Sequence, residues 1–152
     1  MEIRALRPGD NLANFRSGDP YLDLYFRDFA TKGPHLGVPF VALHSRWVIG
    51  GACVAAAHLL LDGTPHPVLR LARLAVDRSA RGQGVAAQLL RFVLQMAFCM
   101  ELQGVVADTR SPAFLRKYGF TEFELEQGAS GERPLPTPMF LPMKAIAKAI
   151  QG

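Results

Sequence analysis

The chain has few of the residues from which disulfide frameworks and metal centres are built. Of its 152 residues, two are cysteines, Cys53 and Cys99, and four are histidines. Both cysteines lie in apolar stretches, so we expect buried thiols in an intracellular protein. The histidines do not have the spacing of metal ligands, and the cysteines do not complete a set. The sequence therefore predicts neither a disulfide-stabilised fold nor a metal site.

Long apolar stretches are also missing. The longest, residues 48–61, has 14 residues and contains Gly50, Gly51 and His58, so it is too short to cross a membrane. Residues 1–10 lack a basic segment followed by an apolar core, and we therefore expect no signal peptide. Together these expectations predict a cytoplasmic protein without membrane contact.

No internal repeat or low-complexity segment divides the chain. Its composition is 49% hydrophobic and 20% charged, which is typical of a globular domain. A chain of this length can bury a core of its own. We therefore expect one domain over residues 1–152.

Apolar runs bounded by turn residues predict strands, and helical spacing of apolar residues predicts helices. The predicted strands are residues 3–6, 38–43, 47–61, 68–76, 104–107, 120–125 and 139–146. The predicted helices begin after Asp19, after Gly84 and after Ser111. The apolar face predicted for the first helix consists of Leu22, Phe26, Phe29 and Ala30. Pro142 has no backbone N–H and predicts an edge position for the last strand. This order predicts an α/β or α+β domain with three layers.

One segment carries the clearest functional signal. The strand predicted at residues 68–76 leads through a polar loop, residues 77–83, into a helix. At such a junction, free N–H groups and the positive end of the helix dipole favour an anion. Gly82 and Gly84 have no Cβ, so a pyrophosphate can approach the backbone closely. The pattern predicts a phosphate site in this loop.

Two familiar phosphate motifs do not fit the loop. A P-loop needs Lys and then Ser or Thr after its last glycine, whereas Val85 and Ala86 follow Gly84. The dinucleotide fingerprint matches Gly82, Gly84 and Ala87, but its first glycine should directly follow the strand, and it opens a larger fold. An ordinary glycine-rich turn remains the alternative to a functional loop.

A third motif, R/Q-x-x-G-x-G/A after Val-Asp, is matched by residues 81–86. It resembles motif A of the GNAT superfamily of acyl-CoA-dependent N-acetyltransferases, and the element order is similar over nearly the whole chain. The resemblance implies a three-layer α-β-α fold with a mixed, mostly antiparallel sheet. It also implies acetyl-CoA as co-substrate. The implied CoA-binding residues are Leu74, Ala75, Val76, Arg81, Gly82, Gln83, Gly84, Val85 and Ala86.

Two further segments carry the resemblance. Residues 114–120 resemble the F-Y-x-x-x-G-F segment of the superfamily. Residues 15–23 are similar to the F-x-C-G-x-x-x-L-D opening of one branch, which also has the R-L-A-V-D of residues 73–77. That branch contains toxins of toxin–antitoxin pairs that acetylate the α-amine of aminoacyl-tRNA. The resemblance therefore implies tRNA as substrate, with an antitoxin protein and a second copy of the chain as partners.

The chain departs from these patterns at two positions. Ser17 replaces the cysteine of the branch, and Leu115 replaces the tyrosine with which the family protonates the departing thiolate. Tyr118 lies three residues further on and, in a helix, on roughly the same side. We expect Tyr118 either to supply the missing acid or to pack in the core. A thiol with a pKa of about 8.5 can also leave without a proton.

Basic residues form two groups in a chain of net charge +4. Their members are Arg70, Arg73, Arg78, Arg81 and Arg91 in the first group, and Arg110, Arg116 and Lys117 in the second. They predict phosphate-bearing partners such as CoA or tRNA, or else a solvated basic face. Arg73 interrupts an apolar strand and needs a partner, either an acidic side chain or an anion of CoA or the substrate.

These observations predict an N-acetyltransferase that moves an acetyl group from acetyl-CoA to a primary amine, with the α-amine of aminoacyl-tRNA as the first candidate acceptor. Two alternatives stay open. Leu115 favours a CoA-binding module that has lost its chemistry and acts through a partner. A small-molecule amine acetyltransferase is the other, because the sequence does not name the acceptor.

Overall fold

The computed structural model describes residues 1–32, 37–122 and 137–151. The strands in these residues are β1 (Glu2–Ala5), β2 (Val38–His44), β3 (Trp47–Leu61), β4 (Thr64–Val76), β5 (Gly104–Thr109), β6 (Thr121–Glu122) and β7 (Thr137–Pro142). The α-helices are α1 (Pro20–Leu24), α2 (Val85–Cys99), α3 (Pro112–Arg116) and α4 (Met143–Gln151). A π-helical turn, Tyr25–Phe29, continues α1, and a 3₁₀ turn, Arg78–Ala80, follows β4.

The described strands form one sheet in the order β1-β2-β3-β4-β5-β7-β6. Strands β4 and β5 run parallel, with Leu69 opposite Val105 and Ala72 opposite Asp108. The pairs β1–β2, β2–β3, β5–β7 and β6–β7 are antiparallel. The predicted fold class, with its mixed and mostly antiparallel sheet, is confirmed.

Tertiary contacts divide the chain into two compact units, Met1–Ala55 with Arg73–Val93 and Ala56–Ala72 with Leu94–Gly152. In the first unit, two glycines of β3 let side chains approach the sheet from opposite faces. A Cβ at Gly50 would lie 2.9 Å from Val85 Cγ1, and a Cβ at Gly51 would lie 2.5 Å from Phe26 Cε1. Because successive strand residues point to opposite faces, α2 covers one face and the α1 segment covers the other. The single-domain organisation stays a prediction.

The first unit has one apolar cluster on each face of its sheet. The cluster on the α1 side consists of Leu12, Phe15, Leu22, Tyr25, Phe26, Ala30 and Ala75. The cluster on the α2 side consists of Ala42, Ala80, Val85 and Leu89. The rings of Phe15 and Phe26 are tilted, with centroids 5.3 Å apart, an arrangement that adds to the area they bury. Both clusters adjoin the β4–α2 junction, which is therefore supported from both faces.

The helix predicted after Asp19 is confirmed, with one change of face. Asp19 caps it, since its carboxylate accepts a hydrogen bond from the N–H of Tyr21 at 2.9 Å. The π turn then shifts the helical phase, with the Ala30 N–H bonded to the Tyr25 carbonyl at 2.8 Å. As a result, Tyr25 is buried, whereas Phe29, predicted to face the core, is exposed.

In the second unit, the C-terminal cap of α3 explains why a glycine and an apolar residue stand at positions 119 and 120. Gly119 has a φ of 93°, which favours glycine. The N–H of Phe120 reaches the Leu115 carbonyl at 3.3 Å, and the N–H of Gly119 reaches the Arg116 carbonyl at 3.1 Å. This pair of bonds is a Schellman cap, which usually brings the residues at its two ends into apolar contact. Leu115 and Phe120 are both buried.

The predicted last strand, residues 139–146, is wrong at its end and in its position. Strand β7 stops at Pro142, and α4 starts at Met143. Strand β7 is not an edge strand, because it lies between β5 and β6. Proline is tolerated there because the β6 ladder runs from Thr121, opposite Phe140, to Glu122 and does not reach Pro142. The predicted strand 120–125 is described only to Glu122, and its remaining residues lie outside the described part.

The strand predicted at residues 68–76 is longer than expected. It begins at Thr64, because Asp62 and Gly63, with φ values of 52° and 76°, form a two-residue turn between β3 and β4. Asp-Gly is a strong hairpin signal, so this turn is predictable from the sequence. Cys53 is buried as predicted, but Cys99, at the end of α2, is exposed.

Replacing Gly51 with alanine tests the close approach at β3. The new Cβ would lie 2.5 Å from Phe26 Cε1, and Phe26 is buried, so we expect Gly51→Ala to destabilise the fold by about 1–3 kcal/mol. For a chain of this size that lowers the Tm by about 2–4 °C per kcal/mol. Gly9→Ala is the matched control, because a Cβ at Gly9 meets nothing within 4 Å. Equal melting temperatures for the two variants in calorimetry would contradict the packing described here.

Candidate functional site

We call residues 77–84, which join β4 to α2, the carrier loop. After the 3₁₀ turn, its residues 81–84 form an exposed turn. Gly82 and Gly84 both have a φ of 77°, in the region that glycine enters without strain. A Cβ at either glycine would meet no other atom within 4 Å. The protein therefore leaves open space beside both glycines, where a ligand can approach the backbone.

The amides that follow are available for hydrogen bonding. In the described ranges, the N–H groups of Gly82 to Ala87 have no protein acceptor. The first bond of the helix runs from the N–H of Gln88 to the Gly84 carbonyl at 3.0 Å. Unpaired N–H groups at the start of a helix attract anions, and the helix dipole adds to the effect.

These features fit the pyrophosphate of CoA. Its oxygens accept hydrogen bonds from backbone amides, and the absence of Cβ atoms at Gly82 and Gly84 lets it approach them. Val85 is buried and anchors the start of α2. Of the residues predicted to bind CoA, 82–86 are thus brought together as consecutive unpaired main-chain donors, whereas the Arg81 N–H donates to the Arg78 carbonyl at 3.3 Å.

Asp77 fixes the start of the carrier loop. Its carboxylate accepts hydrogen bonds from the Arg16 N–H at 2.8 Å, the Ser79 N–H at 3.0 Å and the Ser79 hydroxyl at 2.6 Å. Its own N–H donates to the Ile49 carbonyl at 2.8 Å. Partial burial alone would raise the pKa of Asp77, but the hydrogen bonds from Ser79 and Arg16 outweigh it and lower the pKa.

Residues 16–18 lie against the carrier loop. The N–H of Arg78 donates to the Arg16 carbonyl at 2.7 Å, and the guanidinium of Arg81 donates to the Ser17 carbonyl. A Cβ at Gly18, which has a φ of 97°, would lie 2.6 Å from Arg81 Nη2 and 3.3 Å from Arg78 Nε. Both guanidinium groups therefore pack beside Gly18, and the Arg81 side chain is engaged by the protein's own backbone.

Arg73 marks a break in β4. Its φ of 54° is rare for a residue with a side chain, and the ladder with β5 ends at Ala72. The Arg73 guanidinium lies over the ring of Tyr25, with Cζ 4.4 Å from the ring centroid. Burial and the nearby Cys53 thiol raise the pKa of Tyr25, so its ring stays neutral and can attract the cation.

The acidic partner that was one of two expectations for Arg73 is not found. In the described part of the chain, Arg73 makes no ion pair, and its buried Nε has no hydrogen-bond acceptor. A buried polar nitrogen without a partner is costly. This leaves an anion of the substrate or of CoA as the open expectation for Arg73.

Leu115 and Tyr118 lie in and just after α3, in the second unit. Leu115 is 1% exposed and forms part of the α3 cap, so in this chain the position serves packing. Tyr118 is half-buried, and its ring lies 5.3 Å from that of Phe114 between centroids, tilted by 57°. The role of Tyr118 as an acid stays a prediction.

Part of the predicted basic surface is neutralised. Arg70 forms an ion pair with Asp108, with Nε 2.7 Å from Oδ2. Arg116 forms one with Glu122. Arg78 and Arg81 remain exposed at the carrier loop, so these two charges of the first group lie beside the proposed pyrophosphate site.

Two residues of this region carried no predicted role. Asp23 is buried and accepts hydrogen bonds from the N–H and the hydroxyl of Ser17 at 2.7 and 2.6 Å. Tyr25 supports Arg73. A signal for Asp23 existed in the sequence, because it closes the segment 15–23 whose pattern ends in Leu-Asp. Tyr25 had no such signal, since the π turn that directs it inward is not readable from the spacing.

No group of three His, Cys, Asp or Glu side chains within residues 1–32, 37–122 and 137–151 could hold a metal ion. Among the described helices, none combines the length and apolar character needed to cross a bilayer.

Comparison with known proteins identifies the family. Residues 3–120 match the Acetyltransferase (GNAT) family, and the chain belongs to this family. A curated relative, a tRNA-acetylating toxin of Mycobacterium tuberculosis (strain ATCC 25618 / H37Rv), is 35% identical over 100 residues. The match spans 58% of this chain, and the chain spans about 60% of the length of that relative.

Solved structures share the fold over nearly the whole chain. A mutant of the toxin AtaT, bound to the C-terminus of the antitoxin AtaR and acetyl-CoA, has a TM-score of 0.83 at 20% identity, covering 99% of this chain and 98% of that chain. AtaT complexed with acetyl-methionyl-tRNAfMet has a TM-score of 0.78 at 20% identity, covering 97% of each chain. At this level of identity, the likeness establishes the fold.

Replacing Gly84 with alanine tests the carrier loop. A Cβ there touches no protein atom but would occupy the surface that a pyrophosphate needs. We expect the Kd for CoA, measured by titration calorimetry, to rise about tenfold or more. The left-handed φ adds a folding cost of about 1–2 kcal/mol.

Gly63→Ala separates these two effects. Gly63 has nearly the same φ, 76°, and equally open surroundings, but it lies in the β3–β4 turn. We expect the Gly63→Ala variant to be destabilised as much as Gly84→Ala but to bind CoA as tightly as the unmodified protein. Equal CoA affinity in both variants would contradict a pyrophosphate site at Gly84.

The lowered pKa of Asp77 predicts a pH dependence of stability. A carboxylate whose pKa is lowered on folding stabilises the fold above its unfolded pKa of about 3.9, and that stabilisation is lost as the pH falls through the folded pKa. We expect Asp77→Asn to melt below the unmodified protein at pH 7, with the difference shrinking below about pH 4. Asp28→Asn, at an exposed site, should show no such trend. A difference that stays constant down to pH 2.5 would rule out the proposed hydrogen-bonded carboxylate.

Proposed function

We propose that this protein is an N-acetyltransferase that moves an acetyl group from acetyl-CoA to the α-amine of aminoacyl-tRNA. The observation that carries the use of acetyl-CoA is the row of unpaired amides at Gly82 to Ala87, next to two glycines with open surroundings. Membership of the GNAT family supports the same co-substrate. The choice of acceptor is supported by the curated relative, a tRNA-acetylating toxin.

In this proposal, backbone groups hold the carrier. The amides of residues 82–87 bind the pyrophosphate, with the exposed charges of Arg78 and Arg81 nearby. The main-chain groups of Leu74, Ala75 and Val76 bind the pantetheine arm. The end of the β4–β5 ladder at Ala72 supports this, because that ladder does not use the following main-chain groups.

The acetyl transfer needs little help from acid and base groups of the protein. The amine nitrogen forms a bond to the thioester carbon, the carbon–sulfur bond breaks, and the amine proton ends on the CoA sulfur. An α-amine with a pKa of about 7.7–8.0 is partly neutral at cell pH. Catalysis then consists mainly of holding the two reactants together.

Tyr118 is the proposed proton donor to the departing sulfur. It carries a phenol close in sequence to Leu115, and it is only half-buried, unlike Leu115. If it acts as the acid, Tyr118→Phe should lower kcat by about a hundredfold or more with little change in KM. An unchanged kcat would mean that the thiolate leaves without assistance.

Arg73 is proposed to contact an anionic group of the bound substrates. Its half-buried guanidinium is fixed over the Tyr25 ring, 4.4 Å from the centroid, while its Nε has no acceptor in the residues described. A fixed cation at the end of the β4–β5 ladder suits a phosphate or carbonyl oxygen of the acceptor end of tRNA.

The proposal extends to partners and location. The toxin AtaT is seen with the antitoxin AtaR, and the shared fold supports an antitoxin partner for this chain as well. A homodimer and a cytoplasmic location complete the proposal.

A second candidate is favoured by Leu115. Because this residue is buried and has no proton to give, the chain could bind CoA without turning it over and act through a protein partner. Both candidates require the carrier loop, so CoA binding does not separate them, and only acetyl transfer does.

The deciding experiment offers labelled acetyl-CoA with one acceptor at a time. We expect label on aminoacyl-tRNA, none on uncharged tRNA, and none on aminoacyl-tRNA whose α-amine is already blocked. Label on polyamines or free amino acids alone would point to a small-molecule acetyltransferase. No label on any acceptor, with CoA still bound in calorimetry, would establish the second candidate instead.

A further inference from the structure

The conformation of the carrier loop must be stabilised by the residues on either side of its two glycines. Glycine adopts positive and negative φ with similar ease, so Gly82 and Gly84 do not by themselves select a φ of 77°. Nothing packs within 4 Å of a Cβ position at either residue. The direction of their N–H groups is therefore set by what holds the residues on either side. Helix α2 holds one side, and Arg81 holds the other.

Arg81 is held by a carbonyl that is itself fixed. Its guanidinium donates to the Ser17 carbonyl. Ser17 donates through its N–H and its hydroxyl to Asp23 Oδ1, at 2.7 and 2.6 Å. Its hydroxyl also accepts from the Asp19 N–H at 3.1 Å, and the Gly18 N–H reaches Asp23 Oδ2 at 3.4 Å. The residues on both sides of the Ser17 carbonyl are thus tied down.

Asp23 is the centre of this arrangement. It is 5% exposed, and a buried carboxylate is tolerated only when hydrogen bonds satisfy it. The described residues supply donors from Ser17 and Gly18, and none of them belongs to the carrier loop. Asp23 therefore acts on the loop through the 16–18 segment, which also bonds to Asp77 and Arg78.

We infer that Asp23 is a positioning residue for CoA binding: through Ser17 and Arg81 it holds the carrier loop in the conformation that presents its amides to the pyrophosphate. This inference rests on the CoA site of the proposed function, but not on the identity of the acceptor. It assigns the Arg81 side chain to the shape of the loop.

The inference makes a prediction opposite in sign to simple electrostatics. Asp23 is negative, and CoA carries several negative charges. If only charge mattered, Asp23→Asn would bind CoA as well as the unmodified protein or better. If Asp23 positions the loop, the variant loses one acceptor for the Ser17 donors, and its Kd for CoA rises by about tenfold, equivalent to about 1.4 kcal/mol.

Asp10→Asn is the matched control. Asp10 is also largely buried and hydrogen-bonded. Its carboxylate accepts from Nη1 and Nη2 of Arg4, each at 2.8 Å, and from the N–H of Arg7. Asp10→Asn removes one negative charge, as Asp23→Asn does, and should leave the Kd for CoA equal to that of the unmodified protein or slightly lower. A rise in both variants would indicate general destabilisation and would overturn the inference.

Kinetics and a second variant complete the test. For Asp23→Asn, we expect the KM for acetyl-CoA to rise while the KM for the acceptor and kcat at saturation stay the same. Arg81→Met should raise the Kd about as much, with Arg81→Lys, which keeps a donor, recovering part of the loss. Because Arg81 is exposed, its variants fold even if Asp23→Asn does not.

Two failures are distinguishable. If the unmodified protein does not bind CoA in calorimetry, the proposed function fails and the inference fails with it. If it binds CoA but Asp23→Asn and Arg81→Met bind equally well, the inference alone is overturned. An additive effect of the two substitutions in the double variant would also overturn it, because members of one relay should not act independently.

Discussion

The structure of the first unit depends on how closely α2 approaches β3. Gly50 removes the side chain that would separate them, since a Cβ there would lie 2.9 Å from Val85 and 3.0 Å from Leu89. The first turn of α2 is thereby fixed to the sheet at the point where β4 ends. The carrier loop between these two anchored elements is short, so its unpaired amides have a defined place on the surface.

Around that constraint, the unit uses charge sparingly. The carboxylates of Asp77 and Asp23 both accept hydrogen bonds from backbone N–H groups of the N-terminal segment, and Asp77 also accepts one from the 3₁₀ turn. The guanidinium of Arg81 donates a hydrogen bond to the backbone carbonyl of Ser17. These bonds fix main chain to main chain through side chains, which leaves main-chain donors to meet the anion. In the proposed function, such a site recognises CoA by its phosphates and does not select the acceptor.

The cap at the end of α3 gives a structural reason for Leu115. A Schellman cap at Gly119 places this residue at a position that usually packs against the residue after the glycine. Leucine satisfies that packing requirement, and Leu115 is 1% exposed. In this chain the position therefore contributes packing and no hydroxyl.

The sequence by itself determined most of the strands, the helices that follow Asp19, Gly84 and Ser111, and the position of the carrier loop, because periodicity and glycine spacing are local properties. It did not reveal that β7 is internal, that Phe29 is exposed, or that Tyr25 lies under Arg73. Those features depend on a π turn, on the positive φ of Arg73 and on the pairing of strands far apart in the chain. Only the tertiary structure decided them, because each is set by which distant residues come into contact, and spacing along one segment carries no record of that.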